Sequence, residues 1–241
     1  MCTLETRGNI FLLTLTGNTE HRLSRTLISQ IRSLLSQIRS ESKSKPGSVL
    51  ITTAEKGKFF SNGLDLAWAE SDGKSHYRDR LIQMTFEFKL LIADLISLPL
   101  PTIAAVTGHA AAAGFMLAIA HDYVLMRKDR GVLYMSEIDI GLTFADYFME
   151  LMRARFGSPS NLRDLVLQGV KVKGEEGMKM GIIDSVYDSP EETVEAAMRL
   201  GDKLSLRKWH GEVYAEIRKH TLKDVSLVLG LVHKVVMAPR L

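Results

Sequence analysis

Apolar residues in the first half of the chain fall into short runs separated by stretches of helical periodicity. GNIFLLTLTG, residues 8–17, is apolar, β-rich and bounded by glycines, which predicts a strand. Ser24 then stands as an N-cap before TLISQIRSLLSQI, whose apolar positions recur at helical spacing with polar ones between. SESKSKPG reads as a turn or loop. SVLITTA, residues 48–54, is short and apolar, the pattern of a strand buried in a parallel sheet rather than half exposed. AEKGKFFSNGLDL, residues 54–66, is a glycine-containing loop, and a helix is expected over Tyr77–Ile96, ended by Pro99 and Pro101. TIAAVTG predicts a third strand, followed by a small-residue turn and the helical GFMLAIAHD. DYVLMRKD and VLYMSEIDIG read as another strand and a short extended piece.

Strands and helices alternating in this order predict an α/β domain with right-handed crossovers. The character changes after Gly141. ADYFMELMRARFG, SNLRDLVLQG, GEEGMKMG and PEETVEAAMRLGDKLSL are all helical in pattern, with no strong strand among them. Residues 1–143 are therefore expected to form the α/β core and residues 144–241 a mainly helical region. With no Gly/Ser-rich linker between them, the helices are expected to pack on the core or on neighbouring subunits.

Composition narrows the class. The chain has 241 residues, 46% hydrophobic and 24% charged, which suits a globular domain with a full core. Asp94, Pro99 and Pro101 break the longest apolar stretch, so no transmembrane helix is expected. A net charge of +3, spread without a dominant cluster, argues against nucleic-acid binding. Cys2 is the single cysteine, which excludes an intramolecular disulfide and fits a reducing compartment. The polar N-terminus carries an acid early and reads as neither a secretory signal nor a transit peptide. Pro239-Arg240-Leu241 resembles the small-basic-leucine class of peroxisomal address, departing from it at the proline.

Candidate chemistry centres on two turns. Phe60-Ser61-Asn62-Gly63-Leu64-Asp65-Leu66 follows the second strand, and VTGHAAAAGFMLAIAHDY, residues 106–123, contains the end of the third. Each carries the backbone from a strand end towards a helix start, where N–H groups lack intrahelical partners. Two such groups converging on one oxygen would form an oxyanion hole. The four alanines and Gly114 fit two readings: a helix start packed tightly on a sheet, or room for a ligand to lie against the main chain. There is no Gly-x-Gly-x-x-Gly, no phosphate-binding Gly-Lys-Ser/Thr loop and no Gly-x-Ser-x-Gly elbow. The seven histidines show no metal-ligand spacing, so no metal site is expected. His121 and Asp122 are neighbours and do not face each other on a helix.

FFSNGLDL, PTIAAVTGHAAAAGFMLAIAHDY, MSEIDIGL and GVKVKGEEGMKMGIID together resemble the crotonase (enoyl-CoA hydratase/isomerase) superfamily, in family order and spacing over roughly residues 8 to 190. The likeness is greatest to its Δ3,Δ2-enoyl-CoA isomerase branch, and within that to peroxisomal plant-type enzymes. The resemblance implies a crotonase-like ββα spiral core with a helical C-terminal oligomerisation region, a homotrimer or hexamer. It also implies an acyl-CoA substrate, with CoA part of the substrate and no separate cofactor.

Carried over by position, it assigns the oxyanion-hole N–H groups to Leu64 and Ala113. Asn62 and Leu66 fall where the family holds the adenine ring. Ala67 replaces a lysine common in hydratases, which leaves the CoA phosphates to Lys56 or Lys58. Of two glutamates used by hydratases, one position is Met116 and the other is Glu137, in Glu137-Ile138-Asp139-Ile140-Gly141. Alone, Glu137 reads as a surface carboxylate; within the family pattern it is the base. A single carboxylate suits moving a proton between two carbons of a 3-enoyl-CoA, in β-oxidation of unsaturated fatty acids. Met116 and Phe144 are candidate walls of the acyl pocket, and the segment around Trp68 a mobile rim. The alternatives are a hydratase-like or other acyl-CoA conversion, with Asp139 or His109 as second acid, and a catalytically silent acyl-CoA-binding protein. In the isomerase reading, Pro239-Arg240-Leu241 addresses the chain to the peroxisome through an import receptor.

Overall fold

The computed structural model describes residues 1–238; Pro239-Arg240-Leu241, the expected peroxisomal address, lies outside the described residues. β1 (Cys2–Arg7) turns at Gly8, φ +57°, and pairs antiparallel with β2 (Ile10–Leu15). No apolar run foreshadows β1, because an edge strand covers little and carries charges such as Glu5 and Arg7 without cost. α1 (Arg25–Glu41) begins as expected at Ser24, whose hydroxyl accepts the Leu27 N–H at 3.2 Å. β3 (Val49–Ala54) is buried at every position.

Residues 54–66, expected as loop, instead carry β4 (Phe59–Ser61), whose three residues are buried, and lead into α2 (Leu66–Glu70). α3 (Lys74–Ile96) begins slightly earlier than expected and stops before Pro99. β5 (Thr102–Val106), β6 (His109–Ala111) and α4 (Ala113–Ile119) follow, then β7 (Tyr123–Arg127) and β8 (Val132–Tyr134). The extended piece expected over 132–141 is extended in its first part, as β8, but its second part is α5 (Glu137–Ile140), a single helical turn. Gly141, φ +70°, closes it by donating to the Glu137 carbonyl, which also accepts from Leu142 at 2.9 Å.

The remainder comprises α6 (Asp146–Arg155), α7 (Pro159–Gln168), β9 (Val172–Lys173), α8 (Gly174–Lys179), β10 (Ser185–Tyr187), α9 (Pro190–Ser205), α10 (Gly211–Thr221) and α11 (Lys223–Leu229). This segment is mostly helical, as its pattern predicts, but two strands in it are too short for periodicity to reveal. Among the described residues no helix is long and apolar enough to cross a membrane.

Two sheets organise these elements. The larger has the order β1-β2-β3-β5-β7-β10, parallel apart from β1. Side chains alternate across it: Ile10, Leu12, Ile51, Ile103 and Leu125 face α9, while Phe11, Leu13, Leu50, Ala104 and Val124 face the core beneath α1, α3 and α4. Burial on both faces explains why β2, β3 and β5 read as unbroken apolar runs. The smaller sheet has the order β4-β6-β8-β9, with the first three parallel. The chain thus repeats one unit three times: a strand in the large sheet, a short strand in the small one, then a helix (β3-β4-α2, β5-β6-α4, β7-β8-α5). Since β4, β6 and β8 are neighbours, the three following turns emerge side by side.

Candidate active site

Those three turns deliver Leu64, Ala113 and Glu137 to one cavity of about 250 Å³, which Asn62 and Leu66 also line. Leu64 is fixed by a parallel bridge to Leu23: the Leu23 N–H donates to the Gly63 carbonyl at 2.8 Å and the Asp65 N–H to the Leu23 carbonyl at 3.4 Å. Because successive peptide groups in an extended segment point to opposite sides, the Leu64 N–H faces away from Leu23. It has no acceptor among the described residues, and neither has the N–H of Ala113, the first residue of α4.

The small residues of the second turn answer to both readings at once. A Cβ on Gly114 would lie 2.3 Å from the Ser61 carbonyl oxygen, so the start of α4 rests directly on the turn after β4. At Gly63, φ +76°, a Cβ would stand 3.2 Å from the Ala111 oxygen and 3.6 Å from the Ala113 nitrogen. The two turns touch, and their contact sets the spacing of their free N–H groups. Ala112 adopts φ +48°, ψ −121°, a conformation that favours glycine. Its N–H donates to the Tyr134 carbonyl at 2.9 Å and its carbonyl accepts from Met116 at 3.0 Å, bonds that hold a strain of about 1–3 kcal/mol in place. Gly114→Ala should force these backbones apart and lower stability by about 1–3 kcal/mol in thermal or denaturant unfolding. Wild-type stability in that variant would show that the turns can separate freely.

Glu137 is 8% exposed, and its Oε2 has no hydrogen-bond partner among the described residues. Burial raises its pKa from the ordinary 4.5, against the lowering effect of the Glu137 and Ser136 backbone N–H groups. It is the only carboxylate among the described residues lining the cavity. A buried carboxyl with one oxygen unengaged is suited to taking up a proton, and two free N–H groups are suited to an oxygen that gains charge.

Other expected residues lie elsewhere. Met116 is fully buried in α4 and Phe144 packs against the core; neither lines the cavity. Lys56 projects into solvent, its side chain 85% exposed, and pairs with Glu191 at 2.8 Å. Lys58 lies over the Phe59 ring at 5.2 Å, also outside the cavity. His109 stacks edge-on against Phe59, and burial with Lys58, Lys171 and Arg127 nearby lowers its pKa, which keeps it neutral. The Asp139 carboxylate faces Gly169 at the end of α7. Neither His109 nor Asp139 borders the cavity. At the expected rim, the Arg25 and Arg80 guanidinium groups both lie over the Trp68 ring, at 5.0 and 4.7 Å, and Arg80 donates to the Trp68 carbonyl at 2.9 Å.

The cavity also gains residues that no motif marks. Arg22 lines it while donating to Glu20 at 2.6 Å and, at 3.5 Å, to the Leu64 carbonyl. Leu81 and Thr85 from α3, and Phe148 from α6, form apolar wall. Leu81 and Thr85 are four apart on one helix face, a spacing that links them once either is known to face inward. Nothing local to the sequence brings Phe148 to them.

Residues 5–230 match the enoyl-CoA hydratase/isomerase family. The chain belongs to that family. Among its members it is 56% identical, over 243 residues covering 100% of both chains, to a protein named enoyl-CoA delta isomerase 2, peroxisomal, of Arabidopsis thaliana. It is 52% identical over 227 residues, 94% of this chain and 92% of the relative, to enoyl-CoA delta isomerase 1, peroxisomal, of the same plant. A solved structure of a probable enoyl-CoA hydratase from Mycobacterium tuberculosis superimposes with a TM-score of 0.82 over 95% of this chain and 91% of that one, at 20% identity. That likeness establishes the crotonase-like α/β fold.

Proposed function

We propose that the protein is a Δ3,Δ2-enoyl-CoA isomerase acting in β-oxidation of unsaturated fatty acids in the peroxisome. The observation that carries this is the single carboxylate, Glu137, in one cavity with the unengaged N–H groups of Leu64 and Ala113. Full-length identity to proteins named enoyl-CoA delta isomerases, two of them named peroxisomal, supports the activity and the compartment.

The thioester oxygen of a 3-enoyl-CoA accepts hydrogen bonds from Leu64 and Ala113. Ionised Glu137 removes a proton from the carbon next to the carbonyl. The electron pair moves towards the thioester oxygen, giving a dienolate whose charge the two N–H groups stabilise. Removing one donor of this type costs about 2.7–4 kcal/mol in comparable sites, the scale on which such groups assist. Protonated Glu137 then returns the proton to the fourth carbon, leaving the double bond conjugated with the carbonyl. No atom is gained or lost, so the step needs no oxidant or reductant.

Water addition by a pair of acids is disfavoured, because Met116 stands at the second position and Asp139 and His109 lie outside the cavity. Asn62, Leu66 and Arg22 offer contacts for the CoA end. Lys58 would serve its phosphates more readily than Lys56, whose pair with Glu191 would have to open. A trimer or hexamer and recognition of Pro239-Arg240-Leu241 by an import receptor complete the proposal.

Mixing the protein with 3-hexenoyl-CoA should generate the ultraviolet absorbance of a conjugated 2-enoyl thioester. Tight acyl-CoA binding without conversion at any chain length would reject an isomerase in favour of a silent binding protein. The pH profile is a further test. Glu137 must be ionised to act, so kcat/KM should fall as pH drops through its raised pKa. The acid limb should therefore lie above 4.5, the ordinary glutamate value. A limb at or below that value would show that another group supplies the base.

A further inference from the structure

On the isomerase reading, the cavity must hold an acyl chain, and its apolar lining bears on which chains fit. Beside Leu64, Ala113 and Glu137 the lining includes Leu81 and Thr85 on α3, Ala145 just before α6 and Phe148 on α6. Phe148 packs edge-on against Phe88, with ring centroids 5.9 Å apart, and against Tyr147 at 4.9 Å. Phe88 is fully buried and does not border the cavity, so the Phe148 ring is the partition between the two. The Tyr147 hydroxyl donates to the Thr85 carbonyl at 2.9 Å, tying the start of α6 to α3 just where both present their cavity residues. At about 250 Å³ the cavity lies below the roughly 300–1,000 Å³ common for small-molecule sites.

We propose that Phe148, backed by Phe88 and held by the Tyr147–Thr85 hydrogen bond, is the specificity-determining residue for acyl-chain length, ending the space open to the chain. The tie matters because a wall can exclude a longer chain only if it does not move. Without it, α6 could draw away from α3 and admit further methylenes; with it, lengthening the chain means displacing a packed aromatic cluster. Discrimination therefore resides in one side chain plus its support, whereas the reacting groups stay common to all lengths. Shortening that side chain should extend the cavity towards Phe88 and leave Leu64, Ala113 and Glu137 as they are.

The test compares 3-hexenoyl-CoA with 3-dodecenoyl-CoA as substrates, and hexanoyl-CoA with dodecanoyl-CoA as ligands in calorimetry, for wild type, Phe148→Leu and Phe148→Ala. The milder leucine variant keeps an apolar side chain in case alanine destabilises the helix pair. Wild type is expected to disfavour the longer chain in both kcat/KM and affinity, and the long-to-short ratio should rise by about tenfold or more in Phe148→Ala, with Phe148→Leu between. Equal handling of both lengths by wild type, or a ratio unchanged in both variants, would overturn the assignment. Length-dependent binding without conversion would instead sink the isomerase reading while leaving the wall in place.

Discussion

Glu137→Gln is expected to reduce 3-enoyl-CoA isomerisation towards the upper end of the 10²–10⁴-fold that general acid–base groups typically contribute. Glutamine keeps the size and one oxygen of the side chain but cannot take up and release the proton. No other carboxylate among the described residues lines the cavity to replace it. Binding of a saturated acyl-CoA should survive, since the Leu64 and Ala113 N–H groups are untouched. Stability should move the other way. The carboxyl is buried, its Oε2 has no partner among the described residues, and its pKa in the folded state lies above the unfolded value. Below the unfolded pKa both states are protonated and no penalty exists. As pH rises through the folded pKa, the unfolded chain binds fewer protons than the native one and stability falls. The glutamine variant escapes this loss, so it should be the more stable protein at neutral pH, with the advantage vanishing in acid. Retained turnover would remove Glu137 from the reaction, and lower stability at neutral pH would contradict the desolvation seen here.

Much of the core was legible because both faces of the large sheet are buried. β2, β3 and β5 stand out as apolar runs for that reason, and the Ser24 cap and Pro99 mark helix limits by local chemistry. Most short strands were not legible: β4, β6 and β9 span only two or three residues each, too few for a period of two to register, and only β8 fell within a stretch read as extended. Their pairing comes from the spiral, which no local signal encodes. The same short strands set the site, so the convergence of Leu64, Ala113 and Glu137 had to be carried by family resemblance. The environment of Glu137 escaped a sequence reading for a related cause. Glu-Ile-Asp-Ile alternates like a strand, yet Gly141 closes it as one helical turn, burying Glu137 while exposing Asp139. Met116 and Phe144, the expected walls, do not line the cavity, whereas Phe148 does, and it arrives there through packing of α6 against Phe88 of α3, which no local pattern marks.

Arg218→Met is expected to cost about 3–5 kcal/mol of folding stability, the range for stripping one partner from a buried ion pair. Arg218 and Asp122 have side chains only 5% and 14% exposed. The guanidinium meets the Asp122 carboxylate through Nε at 2.7 Å and through its second nitrogen, and also donates to the carbonyls of Ile96, Leu98 and Leu100. Asp122 in turn accepts from the Thr102 N–H at 2.9 Å and the Tyr214 hydroxyl at 3.1 Å. One arginine on α10 thus ties the C-terminal helices to the end of α3 and the entry into β5 and β7. Methionine keeps the apolar stem but leaves a buried carboxylate short of its cation and three carbonyls short of a donor. The loss would take a large share of the 5–15 kcal/mol that folded domains typically have. Neighbouring bonds give the tie wider reach: Arg155 from α6 donates to the Ile119 and His121 carbonyls at the end of α4, whose other end supplies Ala113. His121 is held neutral there, its pKa lowered to about 4 by burial, with Nδ1 donating to the Leu117 carbonyl and Nε2 accepting from the Thr52 hydroxyl. Denaturant unfolding of Arg218→Met beside Tyr214→Phe separates the contributions. The tyrosine variant loses one hydrogen bond to Asp122 and should cost about 1 kcal/mol. If Arg218→Met proved no more damaging than Tyr214→Phe, the ion pair would be dispensable to the fold.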